Sequence, residues 1–483
     1  MAGYATTFLA LPAASAQNVI TKTDAIMNDL STLSALQARD AKHHFHPNTD
    51  MALLNAEGTR VIVRGDGVWL TDAAGRRILD GFSGLWNVAV GYGRKEIADA
   101  AYAQMIQLPF YNTFFKSTTV PAIELAEILG TLAPGFSKVF FTNSGSEGND
   151  TIIRLVRHYW KLRGKPAKST FIARHNGYHG STVGGASLGG MEYMHKQGDL
   201  PIPGVIHVKQ PYWWGEGGDM SPAEFGLHAA REIAHAIDRV GAEHVAAFIG
   251  EPIQGAGGVI MPPDTYWPEV ERICRERDVL IVSDEVICGF GRTGAWFGSQ
   301  YYGFKPDLMT FAKNVTSGYL PLGGVMVSDE IAEVMTAGGS FWHGFTTSGH
   351  PVCCAAGVAN LRIIIDERLV DRVRDDIGPY LKQRWMSLAD HRLVGEARMV
   401  GLLGGLELTP DRSTRAKFAK FDDVGSICRD FAYQRGLILR ATGSTMLTAP
   451  PYILNESEAD ELVAIARAAL DDTADELSRR GWL

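Results

Sequence analysis

Residues 279–294 read VLIVSDEVICGFGRTG. The run VLIVS is short, apolar and β-rich, and it predicts a buried strand that ends at the acids Asp284 and Glu285. GFGRTG, residues 289–294, matches the glycine fingerprint of dinucleotide-binding folds, which should follow a strand directly and open a helix. Here residues 284–288 separate the predicted strand from the glycines. The segment after them, AWFGSQYYGFKPD, is a poor helix because it contains Gly, aromatic residues and Pro. We therefore interpret the glycines as a turn, and the acid before them as the stronger functional signal.

Short β-rich runs like VLIVS alternate with helical stretches from about residue 86 onward. The runs are KVFFT (138–142), STFIA (169–173), AAFIG (246–250), VLIVS (279–283), LMTFA (308–312) and GGVMV (323–327). This alternation predicts an α/β fold with a mainly parallel central sheet and helices on both faces. Ligands of such sheets bind at the carboxyl ends of the strands.

Four segments are predicted along the chain. They are an N-terminal extension or arm (1–34), the first part of a smaller α+β domain (35–85), a large domain (86–350) and the second part of the smaller domain (351–483). The extension begins with an apolar stretch that no Lys or Arg precedes, which disfavours a secretory signal peptide and leaves it as a minor alternative. The last helix is expected to begin at Asn455, with Glu458 completing a capping box.

Composition excludes several classes of protein. The chain is 46% hydrophobic with a net charge of −8, and it has neither a basic stripe for nucleic acid nor an apolar run long enough to span a membrane. Its five cysteines are few and unpatterned, which predicts reduced thiols and a cytoplasmic location. The cluster His43-His44-His46 lacks an obvious acid or cysteine partner, so we interpret it as packing and predict no metal site.

Functional residue types follow five of the predicted strands. Small polar residues 143–149 open a helix after the first run and predict a phosphate site, although an ordinary helix cap is the simpler alternative. Tyr178 lies on a glycine-flanked loop after the second run, and Glu251, Asp284 and Lys313 follow the other three. Charges at buried strand ends are unfavourable unless they are paired or functional.

Pyridoxal 5′-phosphate is the one cofactor that explains all of these residues together. Its phosphate would bind at Gly145 and Ser146, and its ring would lie between an aromatic residue and an aliphatic one, Tyr178 and Val286. Asp284 would supply the counter-charge that raises the pKa of the ring nitrogen. Lys313 would form the imine with the aldehyde and then move the substrate proton as general base and acid.

Six motifs in one order resemble the class III pyridoxal-phosphate aminotransferases of fold type I. They are SGSEGND (144–150), NGYHGST (176–182), EPIQGAGG (251–258), DEVICGFGRTG (284–294), AKNVTSGYLPLGG (312–324) and HGFTTSGHP (343–351). The likeness extends from about residue 35 to the end and is nearest to ω-transaminases that pass amino groups between amines and pyruvate. It implies that Lys313 is the Schiff-base lysine, that Asp284 pairs with the pyridine nitrogen, and that Glu251 lies near the cofactor.

The resemblance also implies a substrate pocket and a dimer. Trp86, Phe114, Tyr178 and Phe345 would line the pocket, and Arg440 would pair with a keto-acid carboxylate; a surface salt bridge is the alternative for that arginine. The HGFT loop of this family crosses a dimer interface, so Thr346 would bind the phosphate of the neighbouring subunit in a homodimer or tetramer. The chain departs from its relatives at Asn48, where an aromatic residue is frequent, and at Asn314, where Gly is common.

The leading hypothesis is therefore a ping-pong aminotransferase that uses an amine or ω-amino acid as donor and a keto acid such as pyruvate as acceptor. Decarboxylases, racemases and aminomutases of the same fold are the main alternative, because they differ only in which bond is broken or where the proton returns. A catalytically inactive cofactor-binding dimer and a nicotinamide oxidoreductase are weaker alternatives.

Overall fold

The structure is a computed structural model that describes residues 32–483. Most of the predicted N-terminal extension (1–34) lies outside the described residues. Of the described residues, those up to Arg64 together with Leu70–Arg77 form one compact unit, and Gly65–Trp69 with Ile78–Leu483 form the other. The domain boundaries drawn from the sequence stay a prediction.

Fifteen strands are numbered here in chain order. They are β1 (Ile62–Asp66), β2 (Trp69–Asp72), β3 (Arg77–Asp80), β4 (Lys138–Thr142), β5 (Thr170–Arg174), β6 (Val205–Val208), β7 (Val245–Gly250), β8 (Leu280–Asp284), β9 (Leu308–Phe311), β10 (Gly323–Val327), β11 (Val394–Val400), β12 (Leu403–Leu408), β13 (Leu437–Ile438), β14 (Arg440–Thr442) and β15 (Thr445–Thr448).

Helices fill most of the chain between these strands. The α-helices are Leu33–His43, Met51–Glu57, Ser83–Trp86, Lys95–Gln107, Val120–Leu132, Gly145–Leu162, Val183–Leu188, Glu192–Lys196, Trp213–Glu216, Pro222–Val240, Tyr266–Glu276, Gly298–Tyr302, Asp329–Ala337, Pro351–Asp366, Leu369–Asp375, Ile377–Met386, Phe421–Gln434 and Glu456–Arg479.

The central sheet has seven strands in the order β4-β10-β9-β8-β7-β5-β6. The pairs β9·β8, β8·β7, β7·β5 and β5·β6 are parallel. Strand β10 is antiparallel to both of its neighbours, β4 and β9. The predicted mainly parallel sheet is thus confirmed, with one reversed strand near its edge.

Helices cover both faces of this sheet, as the strand–helix alternation predicts. On one face the helix Gly145–Leu162 buries Ile152, Leu155, Val156 and Tyr159 against strand residues that include Val282. On the other face the helices Pro222–Val240 and Tyr266–Glu276 pack on strand residues that include Phe248. Because both faces are apolar, polar groups of the sheet concentrate at its edges, where the strands end.

The C-terminal part contains a second sheet, in the order β11-β12-β15-β14. Its last helix begins after Asn455, and the predicted capping box is present, since the Asn455 side chain accepts from the Glu458 N–H and the Glu458 carboxylate accepts from the Asn455 N–H. The helix buries Leu462, Ala466 and Ala469, and Ile465 is half-buried.

Two further features of the described residues are the state of the cysteine thiols and the apolar character of the helices. All five cysteines are buried, and none forms a disulfide. Among the helices of residues 32–483, none combines the length and apolar character required to cross a bilayer.

Candidate active site

A cavity of about 240 Å³ lies at the carboxyl ends of the central strands. Seven of the residues predicted from the sequence line it together: Gly145, Ser146, Tyr178, Glu251, Asp284, Val286 and Lys313. They come from segments more than 160 positions apart in the chain, so it is the sheet that brings them to one place.

The N-terminus of the helix Gly145–Leu162 faces this cavity. Ser144 caps the helix by accepting the Glu147 N–H at 3.2 Å, which leaves the first amides, those of Gly145 and Ser146, without an intrahelical acceptor. A Cβ atom on Gly145 would lie 2.7 Å from a methyl of Val286, so only glycine allows the helix to approach this closely. Free amides and the positive end of the helix dipole together suit a phosphate dianion.

Asp284 is the acid that faces the cavity. It is 2% exposed, and its Oδ2 accepts from Asn149 Nδ2 at 2.8 Å and from His179 Nδ1 at 2.7 Å. Its Oδ1 accepts from the Val286 N–H at 3.1 Å. Since a carboxylate only accepts, His179 must carry its proton on Nδ1. Three donors thus fix the direction of a negative charge that points into the cavity.

Glu285, the next residue, has a different role. Its carboxylate accepts from the backbone N–H groups of Gly298 at 2.7 Å and Ser299 at 2.8 Å, and from the Ser283 hydroxyl at 3.0 Å. Burial raises its pKa. Its carboxylate therefore ties the strand end to the start of the helix Gly298–Tyr302 and does not line the cavity, where Asp284 provides the charge.

Lys313 is the only amine among the described residues that line the cavity. Burial lowers its pKa, and the nearby charges of Asp284 and Glu251 oppose that change. Its backbone has φ 48°, a left-handed conformation that costs a non-glycine residue about 1–3 kcal/mol. The Asn360 side chain holds this turn by donating to the carbonyls of Asn314 at 2.8 Å and Val315 at 3.0 Å.

Asn314 connects the same turn to another part of the chain. Its side-chain amide donates to the Gly289 carbonyl at 3.2 Å and to the Tyr452 hydroxyl at 3.3 Å. Asn314 therefore links the lysine turn to the GFGRTG turn.

Glu251 holds the loop that carries Tyr178. One carboxylate oxygen accepts from the Tyr178 N–H at 3.0 Å and the other from the Gly255 N–H at 2.8 Å. Burial raises the pKa of Glu251. These contacts make it a support for the aromatic loop at the cavity wall.

The predicted substrate residues fall into two separate groups in this chain. Trp86 is buried, and the Arg440 guanidinium lies 4.9 Å from its ring centroid. Burial lowers the pKa of Arg440. Phe114 instead lies against Gly344, in a different cavity, while Phe345 is half-buried and Thr346 exposed. None of these five residues lines the cavity of Lys313.

The cavity also contains polar residues that were not predicted individually as site residues, among them Asn149, His179 and Asn87. Asn149 gave a usable signal, because it lies on the buried face of its helix, in register with Ile152 and Val156, and a polar residue there requires a partner. His179 was visible in NGYHGST, but its partner Asp284 is 105 positions away. Asn87 gives no signal in the sequence.

The interpretation of the histidine cluster was wrong in one respect. Asp40 supplies the acid that seemed to be missing, since its carboxylate pairs with His44 Nδ1 at 3.1 Å and with His46 Nε2 at 2.7 Å. The three groups are close enough to hold an ion. The absence of a metal site stays a prediction.

The residues that line the cavity fit each part of pyridoxal phosphate. Gly145 and Ser146 offer free amides for a phosphate, and Asp284 offers a fixed carboxylate for a protonated ring nitrogen. Lys313 offers a buried amine for an aldehyde, and Tyr178 and Val286 offer an aromatic and an aliphatic surface. No other single group uses all of these features.

Comparison with known proteins agrees with this fit. The family profile described as aminotransferase class-III matches residues 54–470. The putrescine–pyruvate aminotransferase of Pseudomonas aeruginosa is 55% identical over 91% of this chain and 96% of its own length. An (S)-enantioselective ω-transaminase from Thermomicrobium roseum has 43% identity and a TM-score of 0.89, covering 92% of this chain and 99% of its own. The ω-transaminase of Pseudomonas jessenii in complex with PMP has 41% identity and a TM-score of 0.89, covering 92% and 99%.

The fold and the cavity therefore define a pyridoxal-phosphate enzyme of fold type I. Within that class, the chain belongs to the class III aminotransferases. It is a transferase of the ω-transaminase type, and its cofactor is pyridoxal phosphate.

Proposed function

We propose that the enzyme moves an amino group from an aliphatic amine such as putrescine to pyruvate. The observation that carries the proposal is the 55% identity, across 91% of the chain, to a putrescine–pyruvate aminotransferase. The pairing of Arg440 with Trp86 supports the acceptor, because a guanidinium beside an aromatic wall suits a keto-acid carboxylate.

Lys313 and Asp284 carry the chemistry in this proposal. Bound pyridoxal phosphate supplies an electron-accepting ring that stabilises the charge left when a substrate carbon loses its proton. Lys313 holds the cofactor, and its buried amine, with its lowered pKa, takes up that proton and returns it. Asp284 keeps the ring nitrogen protonated, while Asn149 and His179 hold its carboxylate in place.

The remaining predicted residues bind and orient. Gly145 and Ser146 hold the phosphate, Tyr178 and Val286 hold the ring between them, and Glu251 fixes the Tyr178 loop. Both half-reactions use the same cavity, so the first product leaves before the second substrate enters. The buried thiols favour a reducing compartment, and we place the enzyme in the cytoplasm.

A panel of donors and acceptors tests the substrate assignment. Purified holoenzyme is supplied with putrescine, a longer diamine, a γ-amino acid or an arylalkyl amine, each with pyruvate or 2-oxoglutarate, and alanine or glutamate formation is measured. We expect putrescine with pyruvate to give the highest kcat/KM, about tenfold or more above the same donor with 2-oxoglutarate. Preferred formation of glutamate, or no alanine from any amine, would contradict the proposal.

We also propose a homodimer in which each active site takes its HGFT loop, residues 343–346, from the partner. Thr346 is exposed and lies outside the cavity of its own chain. Large apolar side chains are also exposed: Trp342 at 83%, just before this loop, Ile106 at 72%, in the helix Lys95–Gln107, and Phe115 at 89%. Exposed apolar residues of this size favour an interface between subunits.

Mixed dimers test the shared site. We expect Lys313→Met and Thr346→Glu each to be inactive, the second because a carboxylate repels the phosphate. Unfolding and refolding the two variants together should then restore roughly a quarter of wild-type activity, because half of the dimers would contain one intact site. Absence of recovery, in mixtures that size measurement shows to be dimeric, would place both residues in a site made by one chain.

A further inference from the structure

The GFGRTG turn contains a buried cation that the proposed function does not use. Arg292 is 0% exposed, although a buried charge is unfavourable unless its groups are satisfied. Its Nη1 donates to the Pro450 carbonyl at 2.5 Å and its Nη2 to the Ser83 hydroxyl at 3.3 Å. Its guanidinium lies 4.7 Å from the centroid of the Tyr452 ring. Among the described residues, its Nε has no hydrogen-bond partner.

The Ser83 contact leads to a strained stretch, residues 82–87, which we call the wall segment. Three of its residues have positive φ: Ser83 at 48°, Gly84 at 64° and Trp86 at 56°. Glycine adopts such angles readily, but Ser83 and Trp86 do so only when the surrounding structure holds them. The conformation of the wall segment must therefore be maintained by contacts from outside it.

Two buried groups of opposite charge supply those contacts. Asp80 accepts from the N–H groups of Phe82 at 3.0 Å and Gly84 at 2.7 Å, and from the Tyr92 hydroxyl at 2.7 Å. Arg292 donates to Ser83 Oγ, and that hydroxyl donates in turn to the Ala449 carbonyl at 2.7 Å. The charge of Asp80 also acts favourably on Arg292. The wall segment is thus held through its backbone by an acid and through its serine by an arginine.

Two side chains of the wall segment connect it to the predicted substrate residues and to the cavity, Trp86 and Asn87 respectively. The Trp86 ring packs 4.4 Å from that of Phe82 and forms the surface on which the Arg440 guanidinium lies, at 4.9 Å. The next residue, Asn87, lines the cavity that contains Lys313. A change in the backbone at Ser83 would therefore move the Trp86 ring beneath Arg440.

We propose that Arg292 is a positioning residue for keto-acid recognition, because it holds the wall segment that places Trp86 beneath Arg440. This inference rests on the proposed function, and it assigns a task to the arginine of GFGRTG. Arg292 touches neither the cavity nor Arg440 and acts through Ser83 and Trp86. The acceptor half-reaction depends on it, and the donor half-reaction, in which no carboxylate meets Arg440, does not.

The test separates the two half-reactions in the holoenzyme. In Arg292→Lys the cation remains but the two diverging donors are lost, and Ser83→Ala removes only the hydroxyl that Arg292 contacts. We measure the KM for pyruvate and the dissociation constant of oxamate, an analogue that does not react. We expect both constants to rise about tenfold in Arg292→Lys and about threefold in Ser83→Ala. The donor half-reaction, followed by the absorbance of the cofactor, and the dissociation constant of pyridoxal phosphate should stay within about twofold of wild type.

Thr293→Val is the matched control. It removes another buried polar group from the same turn, one without a hydrogen-bond partner among the described residues, and should leave oxamate binding unchanged. The proposal would be overturned if folded Arg292→Lys bound oxamate as tightly as wild type. It would also be overturned if the rates of both half-reactions decreased equally. If Arg292→Lys does not fold, Ser83→Ala decides the question alone. A wild-type enzyme that does not use pyruvate would instead refute the proposed function, while oxamate binding would still test the arginine.

Discussion

Replacing Lys313 by methionine will lower kcat for alanine formation by about 10³-fold or more, since in the proposed mechanism this one residue both holds the cofactor and moves the proton. Methionine has a similar length and removes only the amine. Lys313 is the only amine of the described cavity, so no neighbour can take its place. The measurement is alanine formation at saturating donor and pyruvate, together with the cofactor's visible absorbance. Retention of both the wild-type spectrum and the wild-type rate would remove Lys313 from the mechanism.

The same substitution should not destabilise the apoenzyme, which separates a catalytic defect from a folding defect. Burial lowers the pKa of Lys313 below its ordinary value of 10.5, so from the folded-state pKa up to 10.5 the unfolded chain binds more protons than the folded one. Stability of the wild-type apoenzyme therefore rises with pH across that window, and the methionine variant lacks this contribution. Denaturant unfolding of both apoenzymes at pH 7 and pH 9.5 should show it as a smaller pH dependence in the variant.

Lys168 provides the control for burying a lysine as such. It is buried, and its amine donates to the carbonyls of Ala242 at 2.9 Å, Val245 at 3.1 Å and Asp278 at 2.6 Å. We expect Lys168→Met to lose stability, because three buried carbonyls lose their donor, and to keep its kcat per folded enzyme. The two lysines should thus show opposite patterns, and a loss of kcat in both would point to a general defect.

The residues that sequence patterns placed correctly are those at the ends of strands. Gly145, Glu251, Asp284 and Lys313 each follow a short apolar run, and parallel strands end at the same edge of a sheet, so the pattern implied that these residues meet. The direction of β10 shows the limit of this argument. Its sequence GGVMV resembles its parallel neighbours, yet it runs antiparallel to β9. The short link 312–322 was the available clue, because a parallel connection requires about a dozen residues or more.

Contacts that depend on side chains from remote segments could not be predicted in this way. Arg292 meets Ser83 and Pro450, which are 209 and 158 positions away, and GFGRTG contains nothing that specifies either partner. The strain at Ser83 and Trp86 is equally invisible, because the residue types at those positions are not those that favour positive φ. Local sequence patterns thus predicted the charged residues at the strand ends. The contacts that hold the wall segment could be identified only from the tertiary structure.

Replacing Asp284 by asparagine should lower kcat by about 10²–10³-fold, the usual loss when one fixed electrostatic partner of a transition state is removed. The substitution keeps the shape and removes the charge. It also disturbs the supporting network, since Asn149 Nδ2 and His179 Nδ1 both donate to Oδ2 and the Val286 N–H donates to Oδ1. An asparagine has one acceptor oxygen, so its own NH₂ group must face at least one of these donors.

Glu285→Gln is the matched control for Asp284→Asn, because it removes a neighbouring buried carboxylate from the same strand end. Glu285 accepts from Gly298, Ser299 and Ser283, and it does not line the cavity. We expect Glu285→Gln to lower the thermal midpoint of unfolding, since one of its acceptors becomes a donor, and to keep kcat within about threefold of wild type. Steady-state kinetics measures kcat, and thermal unfolding measures the midpoint, for both holoenzymes. An equal loss of kcat in both, or more than a tenth of wild-type kcat in Asp284→Asn, would show that the cavity-facing carboxylate is not what supports the cofactor's ring nitrogen.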